Sequence, residues 1–208
     1  MQMPGRLAKF ISLIASPFFT ISLAALLLIN RFSPNRQEML FWGAVFIFML
    51  IVVPFLFIYL SVRAGAISDI HVSVRKQRIK PFLLAFLCAI IVFAVFYAAG
   101  APWPLISMLW VMLANGIIFL IITSFWKISI HIAALAGAAT LVSVLVNPAA
   151  TLLFLLVPIV AWARVREHRH TFWQVVAPAI LAPLVTLTVL YNNINEIRQL
   201  VPTDSLNL

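Results

Sequence analysis

Long apolar runs, separated by short polar or proline- and glycine-bearing breaks, recur from residue 7 to residue 191. A helix needs about 20 mostly apolar residues to cross roughly 30 Å of hydrocarbon, where every backbone amide must be satisfied without water. The runs predict seven membrane helices, at roughly 7–30, 39–64, 81–99, 105–126, 128–146, 149–163 and 171–191. The breaks between them are SPNRQE, GAISDIHVSVRKQRIK, GAPWP, a tight turn near Lys127, NP and RVREHRH. The first run follows Arg6 and Lys9 in the manner of a secretory signal, but it exceeds the about 7–15 apolar residues of such a signal. It is therefore expected to remain as a membrane helix. The fold class expected is all-α, a polytopic transmembrane helix bundle of six to seven helices. Residues 1–208 form one integral-membrane domain with a polar C-terminal tail over 192–208.

Composition sharpens this picture. Apolar residues make up 64% of the 208 and charged residues 9%, against about 45–50% and about 25% in soluble domains. No stretch is left for a soluble catalytic domain, so any chemistry belongs at or inside the bilayer. The single Cys88 excludes an intramolecular disulfide and reads as a packed thiol.

Charge gives the molecule two unlike ends. The chain carries 14 Lys and Arg against 5 Asp and Glu, a net charge of +9. Such a rim attracts anionic headgroups or phosphate-bearing molecules, so the expected partner is membrane lipid and not nucleic acid. Seven alternating crossings bring the N-terminus and the connections after the second, fourth and sixth helices to one side, the site face. It collects Arg6, Lys9, Arg63, Arg75, Lys76, Arg78, Lys80, Lys127, Arg164, Arg166 and Arg169, with all four histidines, leaving Arg31, Arg36 and Arg198 opposite. Trp126, Trp162 and Trp173 are expected in its aromatic belt, and Trp42, Trp103 and Tyr191 in the other. The positive-inside rule makes the site face cytoplasmic.

Three constellations on that face carry candidate chemistry. In AWARVREHRHTFWQ, five residues separate Arg164 from His170 and three separate His170 from Gln174. A helix starting near His170 puts Gln174 one turn on, able to fix the imidazole's tautomer, beside amide donors that favour a phosphate. In FWKISIH, Lys127 and His131 are four residues apart on one helical face, with Ser129 between. The segment SDIHVSVRKQRIKPF supplies Asp69, His71, Arg75, Lys76, Arg78 and Lys80 ahead of Pro81, a residue suited to a helix's first turn.

The arrangement A-R-x5-H-x3-Q at 163–174 resembles the third signature of the type-2 phosphatidic acid phosphatase superfamily, S-R-x5-H-x3-D. I-S-I-H at 128–131 resembles its second, P-S-G-H. The first signature, K-x6-R-P, is matched by the separation of His71 and Arg78, with His in place of Lys and Pro81 two residues late. The resemblance spans residues 69–174. It implies that His170 attacks phosphorus to form a phosphohistidine, that His131 protonates the leaving oxygen, and that water then releases phosphate without metal or cofactor. Arg164 and Arg78 would hold the non-bridging oxygens, since a guanidinium fork suits phosphate geometry. Lys127, Arg75 and Ser129 are added from spacing and charge alone. Gln174 replaces the family's aspartate, and Ile128 and Ile130 replace its proline and glycine, which favours a helix where the family has a loop.

The function implied is a lipid phosphatase acting on a polyprenyl or phosphatidyl phosphate or diphosphate. The alternative is a weak or inactive relative that binds or moves anionic lipid. The basic run 75–80 also suits a headgroup anchor, at about 1 kcal/mol per cation. The His168 and His170 pair lacks an acidic or cysteine partner at metal-ligand spacing. A transporter would need charges near mid-membrane, where almost none occur.

Overall fold

The computed structural model describes residues 5–70, 72 and 74–193, so His71, Arg198 and nearly all of the expected polar tail lie outside the described residues. Within them the protein is an all-α bundle. Its α-helices are α1 (Arg6–Ile14), α2 (Pro17–Phe32), α3 (Arg36–Ile47), α4 (Val53–Arg63), α5 (Ile79–Ala98), α6 (Trp103–Phe125), α7 (Ile130–Leu145), α8 (Leu156–Arg166) and α9 (Phe172–Asn192). A π-helical stretch, Phe48–Val52, joins α3 to α4, and 3-10 stretches Arg75–Arg78 and Pro148–Leu155 lead into α5 and α8.

Six of the resulting helical runs are long and apolar enough to cross a membrane, making the chain a multi-pass membrane protein. The predicted fifth helix differs. Its 16 residues reach about 24 Å, less than the hydrocarbon thickness. It sits among α2, α8 and α9, and Ile132, Ala136, Ala139 and Leu141 on it are all buried. The first predicted helix is also revised, because the chain breaks between α1 and α2. Pro17 opens α2 at its first position and Ser16 caps it, accepting from the Phe19 amide at 3.4 Å. The α1 helix packs on α8 through the small buried residues Ala8 and Ser12, while Leu7, Phe10, Leu13 and Ile14 are exposed.

The π-helical stretch precedes Pro54, which lacks an amide proton and displaces the carbonyl one turn earlier; the wider turn accommodates both. Gly100, in the left-handed region at φ +72°, turns the chain out of α5 toward Pro102.

The connections gather at two ends. At one end, contacts tie the first helix and the loops after α4, α6 and α8 together. Ser12 Oγ donates to Glu167 at 2.5 Å, Arg75 donates to the Ser124 carbonyl, and the Ser129 amide donates to the Gln174 carbonyl at 2.9 Å. At the other, Ile29, Trp42, Phe96 and Leu105 form a buried cluster covered by Ala101, Trp103, Val146 and Ala150. Trp42 is therefore a core residue, 2% exposed and 4.7 Å from the Phe96 ring, and not part of an interfacial belt.

Candidate functional site

A cavity of about 510 Å³ opens within the bundle. Apolar residues of the surrounding helices, Ile21, Leu50, Phe55, Phe86 and Met108 among them, form most of its wall. It follows α7 from His131 to Leu141, a depth of about 15 Å at the helical rise. Arg78, His131, Arg164 and His170 line it as well. Three segments distant in sequence thus meet at one space.

Local structure explains how they are aimed. α8 ends in a Schellman turn, in which the Arg169 amide donates to the Arg164 carbonyl (3.1 Å) and the His168 amide to that of Val165 (2.9 Å). His168 occupies the left-handed position, φ +53°, and is exposed. The turn folds His170 back beside Arg164, and both are buried, at 6% and 5% exposure. Thr171 and Gln174 then close a capping box at the start of α9, with Gln174 Oε1 accepting from the Thr171 amide at 3.2 Å. His131 is the second residue of α7, which the Ser129–Gln174 backbone bond docks against the start of α9.

Arg78 is held by backbone carbonyls. Its Nε donates to Val72 at 2.8 Å and its Nη1 to Ile128 at 3.5 Å. Val72 itself has φ +47°, a costly conformation for a β-branched residue, in a loop packed on Ile58 and Ile67.

Electrostatics follow from this crowding. Burial pushes the His170 imidazole down to about 3, helped by the positive charges of Arg164, Arg78 and Lys127. The side chain of Gln174 opposes them as the smallest influence. The ring is therefore neutral at physiological pH. Burial also lowers the Lys127 ammonium, with repulsion from Arg78, Arg169 and Arg164 adding to it. Arg164 Nη1 donates to Glu167 Oε2 at 3.1 Å, while its Nε is buried without a hydrogen-bond partner among the described residues. A buried cationic donor among other cations favours an anion electrostatically.

Other expected site residues lie elsewhere. Arg75 is turned away to the α6 terminus, donating to the Thr123 and Ser124 carbonyls, and serves as a helix cap. Lys127 contributes its field without lining the cavity, and Ser129 is fully buried and does not line it either. Gln174 caps α9 through its Oε1 as well as acting on the His170 ring, so its carboxamide serves the helix start besides the imidazole. Sequence reasoning also passed over Glu167, which meets Ser12 from 155 positions away. Only the Arg-x-x-Glu spacing on a helix end signalled its pairing with Arg164.

No family model, curated protein or solved structure matches this chain.

Proposed function

We propose that the protein is a membrane lipid phosphatase that hydrolyses a phosphomonoester or diphosphate carried on a polyprenyl or phosphatidyl lipid. One observation carries this reading. Arg78, His131, Arg164 and His170 come together on a cavity that is otherwise walled by hydrocarbon side chains, as an amphiphile with an anionic head requires.

In this reading the apolar wall takes part of the tail, and the two guanidinium groups hold the non-bridging phosphate oxygens. The neutral His170 ring forms an N–P bond as the bond to the lipid oxygen breaks, and His131 gives that oxygen a proton. Water, losing a proton to His131, then attacks phosphorus and breaks the N–P bond, which frees phosphate and restores both rings. The nearby cations stabilise the charge that gathers on the transferring group. The resemblance implies this route without a metal, and the basic rim is read as cytoplasmic.

A second reading, an anionic-lipid binder without turnover, is favoured by the capping role of Gln174. With its oxygen on the Thr171 amide and no carboxylate in its place, the imidazole lacks a strong orienting partner. Phosphate release from phosphatidic acid and from polyprenyl phosphates by the purified protein separates the two. Hydrolysis predicts that His170→Ala abolishes turnover and that His131→Ala lowers it by about 10²–10⁴. Equal release by wild type and both variants refutes the enzyme reading, and binding without release by wild type favours the binder.

A further inference from the structure

We propose that Glu167, held by Ser12, is a positioning residue that keeps Arg164 on the cavity; this rests on the phosphate-binding reading of the site. Arg164 is 5% exposed, in the last turn of α8, and its neighbours include the cations Arg78, Arg169 and Lys127. Left alone, a long cationic side chain at a helix end swings toward water, where its charge is solvated. Among the described residues, what opposes that is one carboxylate oxygen. Glu167 Oε2 accepts from Arg164 Nη1 at 3.1 Å and from Ser12 Oγ at 2.5 Å.

The geometry divides the guanidinium in two. One terminal nitrogen is pinned to Glu167, whereas Nε has no hydrogen-bond partner among the described residues and the residue still lines the cavity. Ser12 makes the arrangement long-range. It is buried in the face of α1 that lies on α8, next to the fully buried Ala8, so the hydroxyl reaches the carboxylate from across a helix contact. The α1 helix thereby joins the site, although none of its residues resembles a catalytic motif.

Two opposite consequences can be told apart. If Glu167 only offset positive charge, removing it would strengthen anion binding. If it positions Arg164, removing it weakens anion binding despite the gain in net charge. The test is the binding of inorganic phosphate by the purified full-length chain in detergent. It is read as the phosphate concentration needed for a fixed rise in melting temperature, which scales with the dissociation constant. Positioning predicts that Glu167→Ala raises this concentration about tenfold, as expected on losing a charge-assisted contact. Ser12→Ala is expected to raise it about threefold, the double variant no more than Glu167→Ala alone, and Glu167→Gln to an intermediate extent. A merely structural role would lower the melting temperature without phosphate and leave that concentration unmoved. Should Glu167→Ala fail to fold, the isosteric Glu167→Gln and the oxygen deletion Ser12→Ala decide the matter.

Wild type that responds while the Glu167 and Ser12 variants bind equally or more tightly overturns the positioning role alone. Wild type that shows no phosphate response, or the same response as Arg164→Ala, overturns the phosphate site and this role with it.

Discussion

At the scale of single residues, the ionisation of His170 is the most consequential feature. An unfolded chain would bind a proton on this histidine near pH 6.5, whereas the folded ring takes one only at about 3. Between those values the unfolded state holds the extra proton, so stability rises with pH across the window and falls on acidification. The slope is at most about 1.4 kcal/mol per pH unit from this one group. His170→Asn removes that contribution. Melting temperatures in detergent between pH 7 and pH 4 should therefore fall less steeply for the variant than for wild type. Parallel curves would show that the ring is not held neutral by its surroundings. Residue identity and spacing in the sequence already marked His170, His131 and Arg164. The sequence had no means of marking Glu167 as Ser12's partner, because a contact across 155 positions has no local periodicity.

At the scale of elements, short devices at helix ends aim the site. The Schellman turn after α8 reverses the chain between Arg164 and His170, and the capping box of Thr171 and Gln174 begins α9 immediately afterwards. His168 serves this turn by its backbone, in a conformation that glycine adopts without strain. His168→Gly is expected to raise stability by about 0.5–1 kcal/mol and to leave phosphate binding and release unchanged. A loss of turnover would give the His168 ring a chemical role. The same scale explains two departures from the hydropathy pattern. The Ser16–Pro17 cap signal stands in the sequence, yet the apolar residues on both sides of it continue without a gap, and hydropathy alone merges α1 with α2. The predicted fifth helix was found in place. Its shortness matters less than its being enclosed by neighbouring helices, which no single run of residues reveals.

For the whole molecule, the two ends differ in both charge and packing. Aromatic and aliphatic side chains form a buried cluster toward the far end, while the other has the cavity lined by Arg78, His131, Arg164 and His170 beside a concentration of Lys and Arg. If that basic end faces the cytoplasm, single cysteines placed in a Cys88→Ala background should report it. Lys76→Cys is expected to react with a membrane-impermeant maleimide only from the cytoplasmic side, and Gln37→Cys only from the other. The reverse pattern would invert the assignment and leave the site's geometry intact. Labelling of both positions from one side would break the alternation of the helices.

The sequence by itself determined that the chain is a helical membrane bundle with one basic end. Hydrophobic run length and backbone hydrogen bonding in lipid leave few other solutions, and both are properties of contiguous residues. It also determined the spacing of the imidazoles and guanidinium groups within each segment, because that register is local. Tertiary structure alone decided which of them reach the cavity: Arg78 does, while Arg75, three residues earlier, turns to cap α6. It alone decided that Gln174 serves a helix start and that Glu167 holds Arg164. The physical reason is that a side chain's partner is set by the competition among nearby donors and acceptors, and those neighbours exist only once the helices have packed.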